Sequence, residues 1–412
     1  MAKLHPTRSY RSLTPNYVTS FRCTGPECPD TCCSGWRVTL DKKTFVAYRQ
    51  VKQPDLSELL PAHIKRNRSN ATDANYAVIQ LNPASGDCPF MQDGLCAVQR
   101  DLGEDYLSNT CNDYPRHTRR FADQIEQALT LSCPEAARLA LLSPDAFVFV
   151  ENALTVREES ISHTKPFKNL NLNHMNEIRL FCMQVIRTEG LELWQRLAVL
   201  GLFCEQFTDV LADPTDSKLQ ELIVSFTQMV EQGWVIDALS DMKPDHATQA
   251  QILSTLWQKK NTKTHSETQR KTMEQVARGL GALVEGDTVS TERLTEAYTR
   301  GIGKLPEALL QAPNLLDHYL LNEMFRELFP FGDNSPYEHY LRLVTRYGLV
   351  RLMLAALCNG MQGLPAPEQM VHVVHVFCRR YQHDQYFATQ VNTALKNSGW
   401  YGLEKIYRFL RA

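Results

Sequence analysis

The run Cys23-Thr-Gly-Pro-Glu-Cys28-Pro-Asp-Thr-Cys32-Cys33-Ser-Gly-Trp36 decides how the chain is read. Its thiols are interleaved with Gly, Pro, Asp and Ser, the residues that make turns. A loop of this kind wraps an ion, and thiolates are soft ligands suited to zinc, iron–sulfur clusters or copper(I). The adjacent pair Cys32-Cys33 adds a constraint. Neighbouring side chains on a strand point to opposite faces. Both therefore reach one metal only from a loop; otherwise one serves the metal and the other a core or a second centre.

Further thiols follow at Cys88-x7-Cys96-x14-Cys111-x21-Cys133, beside turn signals such as Asn82-Pro83-Ala84-Ser85-Gly86-Asp87. Of 12 cysteines, these eight lie in the first 133 residues. Only Cys182, Cys204, Cys358 and Cys378 lie beyond, on apolar helical patterns where a thiol packs as a small hydrophobe. Eight thiols suffice for two four-ligand sites, or for one cluster with three or four protein ligands plus packed cysteines. Neither the CxxC…CxxC spacing of zinc ribbons nor the Cys-x3-Cys-x2-Cys spacing of radical enzymes is present, so spacing alone leaves zinc and iron–sulfur both open.

Length and charge bound the rest. The 412 residues suit two or three domains. Hydrophobic residues at 43% and charged residues at 22% are ordinary for a soluble globular chain. Lys+Arg of 44 against Asp+Glu of 46 argues against binding nucleic acid through bulk charge. Met1 to Tyr17 carries Lys3, Arg8 and Arg11 with no apolar core behind them, so a secretory signal is not expected. The most apolar long stretch, Leu341–Cys358, is interrupted by Arg342, Arg346 and Arg351 and reads as an amphipathic helix, not a membrane span. The expected compartment is the cytoplasm, where thiols stay reduced and serve as metal ligands more often than as disulfides.

These signals give a mainly α fold: an irregular Cys-rich N-terminal domain with short strands, followed by an α-helical bundle. Residues 1–145 form the metal domain, 146–173 a linker or mobile loop (the polar run Thr155–Asn173), and 174–412 the helical domain. Strands are predicted at Trp36–Leu40 and Tyr76–Leu81, with helices at Lys42–Gln50, capped by Asp41, and from Pro134 to Leu142. Helical spacing recurs over Met175–Arg187, Leu191–Leu211, Lys218–Val230, Ala247–Trp257, Thr288–Gly301, Leu315–Phe329, Tyr337–Cys358, Pro367–Tyr381, Tyr386–Asn397 and Lys405–Arg411. The polar section Asn261–Gln269 reads as a loop.

Three further features read as structure before function. Gly279-Leu-Gly281-Ala-Leu-Val-Glu-Gly286 follows a helical pattern and marks a helix end, not a nucleotide-binding turn. His372, His375 and Cys378 share a helix face as a conceivable metal triplet, yet the valines around them favour plain packing. Trp36 either shields a cluster or joins a core; Trp194, Trp234, Trp257 and Trp400 read as core or partner-facing.

The cysteine motifs, together with Leu107-Ser-Asn-Thr-Cys111-Asn-Asp-Tyr-Pro-Arg116 and Leu131-Ser-Cys133-Pro-Glu-Ala-Ala-Arg138-Leu, resemble those of the flagellin lysine N-methylases. That family belongs to a wider group of cysteine-rich zinc- or iron-chelating proteins. The tract Leu316-Asp-His-Tyr-Leu-Leu-Asn-Glu-Met-Phe-Arg326 extends the likeness into the helical part. The resemblance implies a protein-lysine N-methyltransferase using S-adenosylmethionine, with flagellin as substrate. It also implies an iron–sulfur cluster, [4Fe–4S], in the Cys-rich part. The candidate ligands are Cys23, Cys28, Cys32, Cys33, Cys88, Cys96, Cys111 and Cys133. Sequence proximity ranks Cys28, Cys32, Cys33 and Cys23 first, because near neighbours cost least loop-closure entropy.

No Gly-rich α/β nucleotide fold is visible, so S-adenosylmethionine needs another mode of binding. Coordination of its amine and carboxylate to an iron left open by three cysteines is one. The acceptor lysine sets a second requirement. Its amine attacks only when uncharged, and its ordinary pKa is about 10.4. Asp113, Tyr114 and His117, just after Cys111, are the candidates to take its proton; as alternatives, Asp113-Tyr114-Pro115 is simply a turn and the nearby arginines are solvated or paired. Two other functions compete with methyl transfer: an iron–sulfur redox protein, and a non-catalytic zinc-stapled adaptor for a protein partner.

Overall fold

The alternation expected near Trp36 and Tyr76 contracts to strands Thr39–Leu40 and Ala77–Ile79, which pair antiparallel and are joined by Ile64–Arg66. The computed structural model describes residues 3–69, 71–258, 266–282 and 289–411. The helix Lys42–Tyr48 forms as expected, because the Asp41 carboxylate accepts from the Thr44 amide at 2.9 Å and from its hydroxyl at 2.6 Å. The chain divides into two compact units. The first comprises Met1–Ala136, Val148–His163 and Lys263–Lys271; the second Ala137–Phe147, Thr164–Thr262 and Thr272–Ala412.

The first unit holds a five-stranded sheet that the sequence did not announce. Its order is Ser162–His163, Arg116–Phe121, Gln124–Leu129, Thr7–Pro15, Phe149–Arg157. This revises the linker expected over 146–173. Phe149–Arg157 pairs antiparallel with Thr7–Pro15 from Thr7↔Arg157 to Pro15↔Phe149, so its backbone groups are satisfied by a ladder instead of by water. The strand Arg116–Phe121 escapes a hydrophobic pattern search because it is mostly polar. It is nonetheless inside: Arg119 is buried 3.6 Å from the equally buried Glu126 on the neighbouring strand.

The sheet's topology matters for the cysteines. Thr7–Pro15 runs parallel to Gln124–Leu129, and Arg116 is the cross-strand partner of Leu129. The segments leading to Cys23 and Cys133, and the one arriving from Cys111, therefore meet the sheet at the same end. A second group of elements sits around the apolar cluster of Val38, Leu40, Tyr48, Leu60, Phe90 and Val98. It includes the hairpin Met91–Gln92/Leu95–Cys96, turned by Asp93 and Gly94, both at positive φ as a tight two-residue hairpin requires.

The second unit is helical, as expected. Leu172–Ile186, Leu193–Val210, Asp216–Glu231, His246–Gln258, Thr291–Leu309, Leu315–Arg326, Pro336–Gly360, Pro367–Tyr381, Gln385–Asn397 and Leu403–Leu410 all match predicted segments within a few residues, except that Thr291–Leu309 runs on past Gly301. Pro134–Leu142 likewise forms. Trp234–Leu239 is a helix that the sequence did not suggest, and it leaves Trp234 61% exposed, whereas Trp194 is buried. The Trp257 side chain lies outside the described residues.

The expectation of an amphipathic helix over Leu341–Cys358 is corrected. The helix Pro336–Gly360 is buried on all sides along almost its whole length. Its arginines are inside because they are paired. Arg346 meets Glu327 at 2.9 Å and Glu323 at 3.3 Å, Arg342 meets Glu327 at 2.8 Å and Asp333 at 2.9 Å, and Arg351 donates to the Phe409 carbonyl at 2.7 Å and to that of Leu410. Neighbouring helices approach its backbone through glycine: a Cβ at Gly279 or Gly301 would collide with the carbonyl oxygens of Ala356 or Ala355. Gly279 also ends the helix Glu267–Gly279. Ala282 N donates to Ala277 O at 3.0 Å and Gly281, at φ 95°, donates to Arg278 O at 2.9 Å, a left-handed helix stop. The remainder of that glycine motif, 283–286, lies outside the described residues, as does Asn261–His265 of the expected loop. Glu267–Gln269, also read as loop, begin the helix.

His375 and Cys378 are fully buried and His372 Nε2 lies 2.9 Å from Thr272 Oγ1, in keeping with packing. Among the described residues, no helix is long and apolar enough to cross a membrane.

Candidate functional site

Four thiols enter the apolar cluster of the first unit from four separate segments: Cys33, Cys88, Cys96 and Cys111. The chain around Cys33 lies antiparallel to that around Cys88: Cys88 N donates to Cys33 O at 2.8 Å, and Gly35 N to Gly86 O at 3.0 Å. Met91 N donates to Cys88 O at 3.1 Å, and Met91 is the cross-strand partner of Cys96. Cys111 sits in the short helix Asn109–Asp113, capped by Ser108, whose hydroxyl accepts from Cys111 N at 3.2 Å. Thr110 and Thr39, their hydroxyls 3.2 Å apart, tie that helix to the strand Thr39–Leu40.

Burial dominates the electrostatics of this group. It pushes Cys88 and Cys111 up to about 12, and each is raised further by the charge that its neighbours Cys33 and Cys96 would carry as thiolates. Cys96 is raised by burial and by Cys33. In the metal-free chain these are neutral thiols packed as small apolar groups. A soft metal inverts that preference, because coordination deprotonates the thiol and releases the proton.

A second group forms at the end of the five-stranded sheet. Cys28 follows the single turn Gly25–Glu27, and its sulfur lies 3.5 Å from Asp30 O. Cys133 immediately precedes the helix Pro134–Leu142. Burial raises it to about 11, while the amides of Ala136 and Glu135, donating to its sulfur, pull the other way. Cys28 and Cys23 raise Cys133, and burial, then Cys23, raise Cys28. Cys23 is exposed. The structure thus regroups the thiols: Cys33 joins the later cysteines, and Cys133 joins the earliest ones. Cys32 lies next to Trp36, whose indole donates to Cys32 O at 2.5 Å and whose ring packs 5.2 Å from that of Tyr114.

In number and chemistry these donors fit a thiolate-bound metal: four soft ligands on independent segments, Cys88 buried and the other three half-buried against apolar side chains. Among the described residues, no three His, Cys, Asp or Glu side chains are already drawn in to hold an ion. Neutral, buried thiols have no mutual attraction that would draw them in.

A cavity of about 730 Å³ opens beside Cys28. Its described walls carry Asp30, Asp87 and Glu267 and no Lys or Arg. One wall comes from far along the chain: Thr268 Oγ1 donates to Pro29 O at 3.3 Å and Gln269 Nε2 to Asp30 Oδ2 at 3.4 Å, which pins the cysteine loop. Read as loop, these residues carried no sequence signal for that role.

A smaller cavity, about 360 Å³, is lined by polar and charged residues together with Val156. Asp113 is in its wall, where its Oδ1 accepts from Ser160 Oγ at 2.6 Å and from Asn112 Nδ2 at 3.1 Å. Tyr114 and His117 are not in that wall. Tyr114 turns to Ser132, with the hydroxyls 3.2 Å apart, and His117 lies between Arg116 and Thr118 on a strand, so it faces the other side. The three proton-acceptor candidates are therefore not brought to one point. Two wall residues had no sequence signal. Buried Arg157 donates to Leu107 O and Glu104 O, each at 2.8 Å, and to Asn109 Oδ1 at 3.0 Å. The Asp105 carboxylate accepts from Leu4 N at 2.6 Å and His5 N at 3.0 Å, which fastens the chain start here.

Comparison with known proteins adds a different kind of finding. A family model described as the FliB lysine N-methylase C-terminal domain matches residues 179–409. A Lysine-N-methylase of Salmonella typhimurium is 24% identical over 376 residues, covering 90% of this chain and 91% of that protein. The Lysine-N-methylase of Salmonella choleraesuis aligns equally. The flagellar biosynthetic protein FliU of Salmonella muenchen is 36% identical over 138 residues, 33% of this chain and 80% of its own length. No solved structure matches.

Proposed function

The chain belongs to the FliB lysine N-methylase family, and from that premise we propose that it methylates lysine side chains of flagellin in the cytoplasm, taking the methyl group from S-adenosylmethionine. Its N-terminal unit holds an iron–sulfur cluster on the cysteines described above. The observation that carries the metal part of this reading is the convergence of Cys33, Cys88, Cys96 and Cys111 in one apolar cluster. The substrate part is supported by the near full-length likeness to proteins called Lysine-N-methylase and by the flagellar name of a third relative.

The lysine amine must shed its proton before it attacks. Its lone pair then displaces the methyl carbon from sulfonium sulfur, leaving S-adenosylhomocysteine, and the proton released on nitrogen leaves with a base. Asp113 is the residue we assign to that base: it is the sequence candidate placed in a cavity wall, with Ser160 and Asn112 donating to its Oδ1 and so fixing its orientation. A cluster held by three of the N-terminal thiolates would leave one iron open, a Lewis acid able to orient a cofactor carrying amine and carboxylate groups.

Co-expression with flagellin, followed by mass spectrometry of the purified flagellin, tests the reading. Lysines heavier by whole methyl groups, absent without this chain, are the expected result. Unmodified flagellin, with both proteins soluble, overturns the substrate assignment. Iron and sulfide analysis of anaerobically purified protein tests the cluster separately.

A further inference from the structure

We propose that the N-terminal cysteines serve two separate thiolate metal centres: a closed one of Cys33, Cys88, Cys96 and Cys111, and an open one of Cys23, Cys28 and Cys133. The inference rests on the metal-binding reading above and adds a division of ligands to it.

The first set is defined by packing. All four thiols join one apolar cluster, and backbone pairing fixes three of them, through Cys88 N to Cys33 O at 2.8 Å and Met91 opposite Cys96. Four thiolates complete a tetrahedral zinc or a cubane cluster with no position left over. The second set is defined by the sheet. Thr7–Pro15 and Gln124–Leu129 run parallel, so the segments that follow them leave at one end. Tyr17 OH accepts from Leu129 N at 2.9 Å, which holds the approach to Cys23 against the approach to Cys133.

The two environments differ in the way that closed and open metal sites differ. Cys88 is buried among apolar side chains, whereas Cys23 is exposed and Cys28 forms part of the wall of the cavity of about 730 Å³. Three protein thiolates leave one position for an exogenous ligand, and a cavity beside them gives that ligand access. The adjacent Cys32 and Cys33 then mark where the chain passes from one centre to the other.

The test is metal and sulfide content per folded chain, after anaerobic reconstitution of the full-length protein with iron and sulfide, or with zinc in a parallel arm. The division predicts that Cys23→Ser and Cys133→Ala lose the same fraction of the wild-type metal and keep the rest. Cys88→Ala loses the complementary fraction. Full retention by Cys23→Ser and Cys133→Ala overturns the division, as does complete loss in either variant with the circular dichroism of the wild type. Should Cys88→Ala not fold, the exposed Cys23 still decides the question. A wild-type chain that binds neither metal instead removes the metal-binding reading itself.

Discussion

The amide of Cys88 donates to the carbonyl of Cys33 at 2.8 Å, joining two loops that are distant in sequence. That bond places two thiols of one apolar cluster side by side on antiparallel backbone. Loop-closure entropy alone grouped Cys33 with Cys23 and Cys28 by proximity; the native backbone pairing outweighs a term that changes by only about 0.6 kcal/mol per doubling of loop length.

Thiol reactivity in the metal-free chain follows from this arrangement. Cys88 and Cys111, pushed up to about 12 by burial, remain protonated at neutral pH, and the thiolate is the reactive form. Cys23 is exposed. Iodoacetamide is expected to label Cys23 well before Cys88 or Cys111, read as peptide masses over time. Equal labelling rates in folded protein contradict the burial of the cluster.

Methyl transfer is expected to depend on Asp113. Removing a positioned general base slows a reaction by about 10²–10⁴-fold, so Asp113→Asn should depress flagellin methylation on that scale. Ser160→Ala, which removes the 2.6 Å hydrogen bond to Asp113, should lower the rate less. Timed mass spectrometry of flagellin measures both, and an undiminished rate in Asp113→Asn rules out its role as base.

The cap at Asp41 starts the helix Lys42–Tyr48, whose Tyr48 lies in the apolar cluster that the four thiols join. Asp41→Ala frees the Thr44 amide and hydroxyl, and loss of such a cap costs about 0.5–2 kcal/mol. The urea midpoint of the full chain should fall, provided that the first unit is the one unfolding, which the fluorescence of Trp36 reports.

Gly301 makes a steric prediction. A methyl group there meets the Ala355 carbonyl, so Gly301→Ala must push two core helices apart despite alanine's better helix propensity. Overpacking of this kind costs about 1–3 kcal/mol. A variant at least as stable as the wild type shows that the two helices have room to separate.

The helices were legible in sequence because each repeats apolar residues at helical spacing over many turns, as in Pro367–Tyr381, which the structure reproduces end to end. The five-stranded sheet was not, because Arg116–Phe121 reads Arg-His-Thr-Arg-Arg-Phe and its burial depends on Glu126, a partner that only the fold supplies. The thiols were legible as a chemical type but not as groups. The convergence of Cys33 with Cys88 depends on the bond from Cys88 N to Cys33 O, and the proposed grouping of Cys23 with Cys133 on the parallel pairing of Thr7–Pro15 with Gln124–Leu129, both long-range contacts. The pin from Thr268 and Gln269 onto the Pro29-Asp30 loop is a contact of the same kind.

Arg342 and Arg346 show why charge is a poor guide to exposure, and they carry the last prediction. Burial alone would raise the Glu327 carboxyl. Arg326, Arg346 and Arg342, with a hydrogen bond from His339, overcome it and hold Glu327 well below the ordinary carboxylate range. The unfolded chain, with an ordinary glutamate near pKa 4.3, therefore takes up the proton first as pH falls. Glu327 thus contributes stability that is complete above that value and is lost progressively as pH drops toward its lower folded value. Glu327→Gln should flatten the acid limb of a plot of urea midpoint against pH. Arg346→Met is a harsher change: it leaves Glu323 and Glu327 with one fewer cation in a buried site, and breaking such a pair costs about 3–5 kcal/mol. Adding Glu323→Gln to that variant should recover part of the loss. If the double variant is no more stable than Arg346→Met, the cost lies in lost packing of the arginine and not in an uncompensated carboxylate.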